Sequence, residues 1–193
     1  MEVRASGRGG IRASPRGGEV GKRQDDEGGK LAIIETIASR VGQDSPVTIT
    51  LWLRGDASPS IQDRIDWVLE QLHHVTHRTP STEFNVRVWG SYLRHPNELD
   101  EDDPEVQQRW SAYEAFEAWS AENGCSLEPA FRRRIEQSYF AKESCEMIRL
   151  PHITLAVRSE GNIIGVAPSV VDGTPITVPE VLTRLQAVPE SGE

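Results

Sequence analysis

One segment constrains the fold more than any other: a strand with no polar face. Residues 47–54 (VTITLWLR) alternate Val47, Ile49, Leu51 and Leu53 with Thr48, Thr50 and Trp52. Apolar groups on both sides imply cover on both sides, so this strand is expected near the centre of a sheet with layers above and below. Gly55-Asp56-Ala57-Ser58-Pro59-Ser60 then turns the chain into a helix. Either Ser58 caps it with Pro59 at N1, or Ser60 caps it with Asp63 three residues on. Ile61, Ile65, Val68, Leu72 and Val75 recur at helical spacing, which carries the helix to about Thr76.

The same βα step recurs. Residues 84–89 (FNVRVW) read as a strand with Phe84, Val86 and Val88 on one face. An acidic loop, 98–105, ends at Asp103-Pro104, a cap followed by proline at N1. Val106, Trp110, Tyr113, Phe116 and Trp119 form the stripe of the next helix, which stops at Asn123-Gly124. Residues 131–140 and 145–150 can pair as a hairpin. Residues 152–158 (HITLAVR) are a third central strand, 163–167 a fourth by hairpin geometry, and 179–187 a closing helix. The order β-α-β-α-(hairpin)-β-β-α predicts an α/β fold bordering on α+β. A mixed central sheet is flanked by helices, with parallel neighbours first and an antiparallel edge last.

This core spans 47–188. Residues 30–46 read as a short helix and linker, with Leu31, Ile34, Ile37 and Val41 on one stripe, and 189–193 as a loose end. Residues 1–29 read as a disordered tail, since they hold eight of the 16 glycines and little to bury. An RGG-like, RNA-contacting arm is the functional alternative. The tail lacks stacking aromatics and carries acids, so a non-functional extension, including an early start codon, is preferred.

The chain has a net charge of −9. Residues 1–30 hold seven basic and five acidic residues, leaving 14 basic and 25 acidic residues in the remainder, a balance of −11. Such a body repels phosphate backbones, which makes nucleic acid an unexpected partner. Arg outnumbers Lys 18 to 3. An acidic, lysine-poor surface suits a salt-rich cytoplasm, although a GC-rich genome also favours Arg codons. No apolar run long enough to span a membrane and no apolar signal segment occurs, and two cysteines make no disulfide scaffold, so a cytoplasmic location is expected.

The element order resembles the thioredoxin-like fold. In that family the first strand leads to a helix whose start carries Cys-x-x-Cys, and a proline, usually cis, precedes the third strand and faces it. Here Leu51-Trp52-Leu53 leads to Ala57-Ser58-Pro59-Ser60, and Leu150-Pro151-His152-Ile153 looks like the proline-led strand; either isomer of Pro151 is open. The resemblance implies a ligand groove near Asp56, Ser58, Ser60, Pro151 and His152, without redox cysteines. The same stretch is similar to a group of small, acidic haloarchaeal proteins with Leu-Trp/Tyr-x-Arg, Val-x-Val-Trp-Gly and Gly-Val-Ala-Pro. Here these are Leu51–Arg54, Val86–Gly90 and Gly165–Pro168. Members often carry a helix-turn-helix label, which the element order does not support.

Thiol exchange needs a thiolate, and a serine hydroxyl cannot replace it. Cys125 and Cys145 remain as an alternative redox pair, though their spacing is neither CxxC nor a metal motif. His73, His74 and His77 share a helix end at i,i+3 and i,i+4 and are weak metal candidates without a third ligand. No catalytic residue and no cofactor is expected. Asp100-Glu101-Asp102-Asp103 lacks the EF-hand glycine and reads as a solvated loop. Arg132-Arg133-Arg134 is the only basic cluster in the body, and in a strand its side chains alternate faces, so the three make no single patch. The expected function is a non-enzymatic binding or regulatory module for an unidentified protein or small ligand. A DNA-binding regulator and a thiol oxidoreductase are the alternatives.

Overall fold

The structure is a computed structural model that describes residues 20–43, 45–95, 103–137 and 144–189; at 20–26, 136–137 and 144–145 only the backbone is described. Strand β1 (Val47–Arg54) lies inside a four-stranded sheet. On one side it runs parallel to β2 (Thr82–Trp89), with Leu51 beside Val86. On the other it runs antiparallel to β7 (Ile153–Ser159), with Leu51 beside Leu155, and β8 (Asn162–Ala167) closes that side. The order β2-β1-β7-β8 explains why β1 needs apolar groups on both faces.

Val47, Ile49 and Leu51 face one core with Leu155 and Val157. Helix α1 (Val20–Val41), α2 (Pro59–Arg78) and α4 (Val178–Gln186) cover it. Trp52 and Ala156 face a second core, built on Phe116 and Trp119 of α3 (Pro104–Glu122) with Trp89, Phe131 and Ile148. Ser58 takes the N-cap position of α2 with Pro59 after it, without a side-chain cap bond, and Ile65, Val68, Leu72 and Val75 are buried. The Asp103 carboxylate accepts from Glu105 N–H at 2.9 Å and Val106 N–H at 3.3 Å, satisfying open donors of α3. Arg184 on α4 holds Glu35 on α1 through two bonds of 2.6 Å.

Four expectations change. Helix α1 begins at Val20, so residues 20–29, read as tail, are helical; residues 1–19 lie outside the described residues. A Cβ on Gly29 would lie 2.9 Å from an Asp172 carboxylate oxygen and 3.1 Å from Val171, so this glycine allows close packing rather than marking disorder. On α1, Leu31 is 58% exposed and Ala38 takes a place in the buried stripe. On β2, Val86 and Val88 stay exposed because the strand is an edge, and only its first half is covered by α2.

The expected hairpin forms from β5 (Arg132–Gln137) and β6 (Ser144–Arg149), but it joins β3 (Tyr92–Arg94) in a separate sheet of order β3-β6-β5. A third small sheet, from β4 (Cys125–Ser126), β9 (Ser169–Val171) and β10 (Thr174–Ile176), has no counterpart in the sequence reading. Its β9–β10 turn and the β7–β8 turn are both two residues long and left-handed, at Asp172-Gly173 and Glu160-Gly161.

Candidate functional site

At the end of β1 the alternation places a cation where an apolar residue is expected. Arg54 is 7% exposed. Its Nε donates to Asp56 Oδ1 at 2.5 Å, one terminal nitrogen donates to the Leu150 carbonyl at 3.2 Å, and the other reaches His152 Nε2 at 2.9 Å. The strand register fixes this, since Arg54 N–H also donates to the His152 carbonyl at 2.9 Å. Ser91 Oγ donates to the second Asp56 oxygen at 2.8 Å. The sequence reading named Asp56 and His152 but missed Arg54, which joins them. The available signal was an arginine ending a strand that is apolar on both faces.

The electrostatics follow. The hydrogen bond from Ser91, together with Arg54, holds the Asp56 carboxyl below its ordinary range. Burial pushes the His152 imidazole down, and the positive charge of Arg54 adds to this, against the pull of Asp56. A guanidinium only donates, so Nε2 accepts and the neutral ring carries its proton on Nδ1. That Nδ1 is buried and has no hydrogen-bond partner among the described residues.

Beside His152 a cavity of about 500 Å³ opens between α2, α4 and the start of β7, with Ile61, Trp67, Val68, Ile153, Pro168 and Val178 in its wall. Ser58 and Ser60 sit outside this cluster; their hydroxyls lie 3.2 Å apart on the exposed start of α2. Pro151 is half-buried between Leu150 and His152. The cis peptides among the described residues precede Pro129 and Pro168, so the bond before Pro151 is trans.

The remaining candidates are dispersed. His73 packs edge-on against Phe84, with ring centroids 4.9 Å apart. Among the described residues no three His, Cys, Asp or Glu converge as a metal site. Cys125 is a free, half-buried thiol on β4, raised in pKa by burial and by the Asp172 charge. The Cys145 backbone pairs with Glu136 in a different sheet, and its side chain lies outside the described residues, as do residues 100–102 of the acidic loop.

A second surface was not anticipated. Arg133 lies on the face with Leu93 and Ile148 and, while still exposed, pairs with Glu117 and Glu146. Arg132 and Arg134 turn to the opposite face of the β3-β6-β5 sheet, where the neighbouring strands add to them. Arg132 pairs across with Arg149, which pairs with Tyr92; Arg134 pairs with Met147, which pairs with Arg94. Residues directly opposite in a ladder share a face. Four exposed arginines and an exposed tyrosine therefore occupy two adjacent rows. Arg132, Arg134 and Arg149 form no ion pair among the described residues. The three consecutive arginines alternate faces, as expected, and the basic face arises because the neighbouring strands bring Arg94 and Arg149 beside Arg132 and Arg134. The net charge that argued against nucleic acid hides a local excess of the opposite sign.

A family model described as a helix-turn-helix domain matches residues 41–190. No curated protein and no solved structure matches the chain. Within that span α2, α3 and α4 are each separated by strands, so no two helices there follow one another across a short turn among the described residues.

Proposed function

Because this chain belongs to a helix-turn-helix domain family, we propose that it is a non-catalytic regulatory module that binds DNA, and that it grips the duplex with the arginine face of the β3-β6-β5 sheet. The observation that carries this reading is the placement of Arg94, Arg132, Arg134 and Arg149, with Tyr92, on one exposed face. Strands lie about 4.8 Å apart and alternate residues about 6.6 Å apart, so these guanidiniums crowd a small field. Each is a planar fork suited to phosphate oxygens. An antiparallel ribbon fits the major groove, as a helix does. Helix α3 is the poorer candidate, since it exposes Glu105, Glu114 and Glu122. The strand order β2-β1-β7-β8 supports a thioredoxin-like scaffold, and Ala57-Ser58-Pro59-Ser60 together with the raised Cys125 thiol supports one without redox work.

The test is fluorescence anisotropy with a labelled duplex across a salt series. The parent is expected to bind at low salt, with a log–log salt slope of about −0.9 per phosphate contact. Arg132→Gln and Arg134→Gln are each expected to weaken binding and to reduce that slope by about one. Equal binding by the variants would sink the proposal, as would no binding by the parent at low salt.

A second reading is favoured by the cavity beside His152. Its mainly apolar wall, with Asp63, Arg64 and His152 as its polar members, suits a small ligand with an apolar body and a polar group. Trp67 lies in that wall, so its fluorescence reports occupancy, and Ile61→Trp, which fills the space from a half-buried wall position, is expected to abolish the response.

A further inference from the structure

We propose that two copies of this chain associate edge to edge through β2, antiparallel about a two-fold axis at Asn85, so that their four-stranded sheets become one. The inference does not depend on DNA binding. Among the described residues β2 forms one edge of its sheet, with β1 its sole strand neighbour. The Ser81 and Trp89 carbonyls accept from Val47 N–H at 3.0 Å and Gly55 N–H at 3.3 Å. Alternate residues of a strand face the same neighbour, so residues 83, 85 and 87 also turn their backbone groups to β1. Thr82, Phe84, Val86 and Val88 turn theirs outward. Edge strands are ordinarily blunted by lysine, proline, a bulge or short length. Strand β2 (TEFNVRVW) has eight residues, no lysine or proline, and an unbroken register with β1. Val86 and Val88 are 44% and 59% exposed.

The side chains select the partner and the register. With Asn85 opposite Asn85 of the second copy, Phe84 faces Val86 through open backbone groups, and Thr82, whose N–H already donates to the Thr79 carbonyl at 2.9 Å, offers its carbonyl to Val88. Glu83 then faces Arg87 in a non-hydrogen-bonded pair, where Cα atoms approach to about 4.5 Å and side chains meet most closely. Two-fold symmetry repeats each contact. Within one chain the Glu83 carboxylate accepts from the Thr48 hydroxyl at 3.2 Å, and Arg87 donates to the Gln108 amide oxygen at 2.7 Å. Neither has a charged partner among the described residues. Pairing two copies gives each its counter-ion. A slip of two residues either way sets these charges against Asn85 and uncharged neighbours, and a slip of one opposes open backbone groups to occupied ones. A foreign strand of one charge would satisfy only half of the pattern.

The contact is one strand wide, so association in the micromolar range is expected. Light scattering after gel filtration should show the mass rising with concentration from 21.5 kDa towards twice that value. Glu83→Arg or Arg87→Glu alone should weaken association about tenfold, and the two together should restore it. Asn85→Cys places two thiols within disulfide reach across the axis and should cross-link under mild oxidation faster than the parent. A monomer at every concentration overturns the proposal. So does a double exchange as weak as the singles, or an Asn85→Cys chain that cross-links no faster than the parent.

Discussion

The four-stranded sheet and the β3-β6-β5 sheet are made of the same chain by opposite rules. Strands β1 and β7 are buried on both faces and carry almost nothing but apolar groups at their centres. The smaller sheet buries Leu93 and Ile148 on one face and exposes arginines on the other. The first holds the fold together, and the second is held by it. The point of contact is Trp89, which is 1% exposed, stacks on Trp52 at 5.0 Å and meets Phe116 and Phe131 edge-on. If this division is right, substitutions in one sheet change stability and substitutions in the other change binding.

The largest effect is expected at that contact. Trp89→Ala removes a filled ring position between the two sheets and should cost about 3–5 kcal/mol in urea unfolding. A loss below about 1 kcal/mol would mean that the small sheet stands independently of the body.

Next comes the seating of α1. A Cβ on Gly165 of β8 would fall 2.2 Å from Ile37 Cδ1 and 2.6 Å from its Cγ1, and Ile37 is itself buried. Gly165→Val is therefore expected to destabilise by about 1–3 kcal/mol. Adding Ile37→Ala should return part of that loss, because the two changes share one space. Strict additivity in the double-mutant cycle would show that α1 does not press on β8 there.

These elements divide in the same way by what the sequence reveals. Strand β1 could be read because burial on both faces leaves an unmistakable run, and the α2 and α3 starts could be read because a proline after a small polar or acidic residue is a local signal, backed by a side-chain cap at Asp103 but not at Ser58. The arginine face could not. It exists through the register that sets Arg132 beside Arg149 and Arg94 two strands away, and no local pattern states a register. Arg54 was hidden for a related reason, since its partners Leu150 and His152 lie nearly a hundred residues on and reach it through β7. Gly29 misled in the other direction. Glycine for close helix packing and glycine for disorder look alike until the neighbour, Asp172, is known.

The acid limb of stability gives a smaller, graded effect. The folded-state pKa of His152 is depressed, so between that value and the ordinary 6.5 the unfolded chain binds more protons than the folded one. Stability contributed by the neutral ring is present above about pH 6.5 and is lost as pH falls through that region. His152→Gln should flatten this slope. Asp56 is also depressed, below its ordinary 3.8, so its contribution fades only in stronger acid. An unchanged slope in the variant would show that the ring titrates as it does in the unfolded chain.

The smallest expected effect on stability is the most telling one for the comparison. Arg132, Arg134 and Arg149 are exposed and hold no carboxylate among the described residues, and the one described group their charge reaches is His152, which Arg149 helps to hold neutral. Each Arg→Gln change should move the unfolding free energy by less than about 0.5 kcal/mol. Removing like charges from adjacent rows can even stabilise, since Arg132 and Arg149 oppose each other directly across the ladder. Arg133→Gln provides the contrast within one tripeptide. It breaks the pairs with Glu117 and Glu146, and it should cost stability while leaving duplex affinity nearly unchanged. If Arg133→Gln instead weakened DNA binding as much as Arg132→Gln, the face would not be the recognition surface, and diffuse positive charge would be the better explanation.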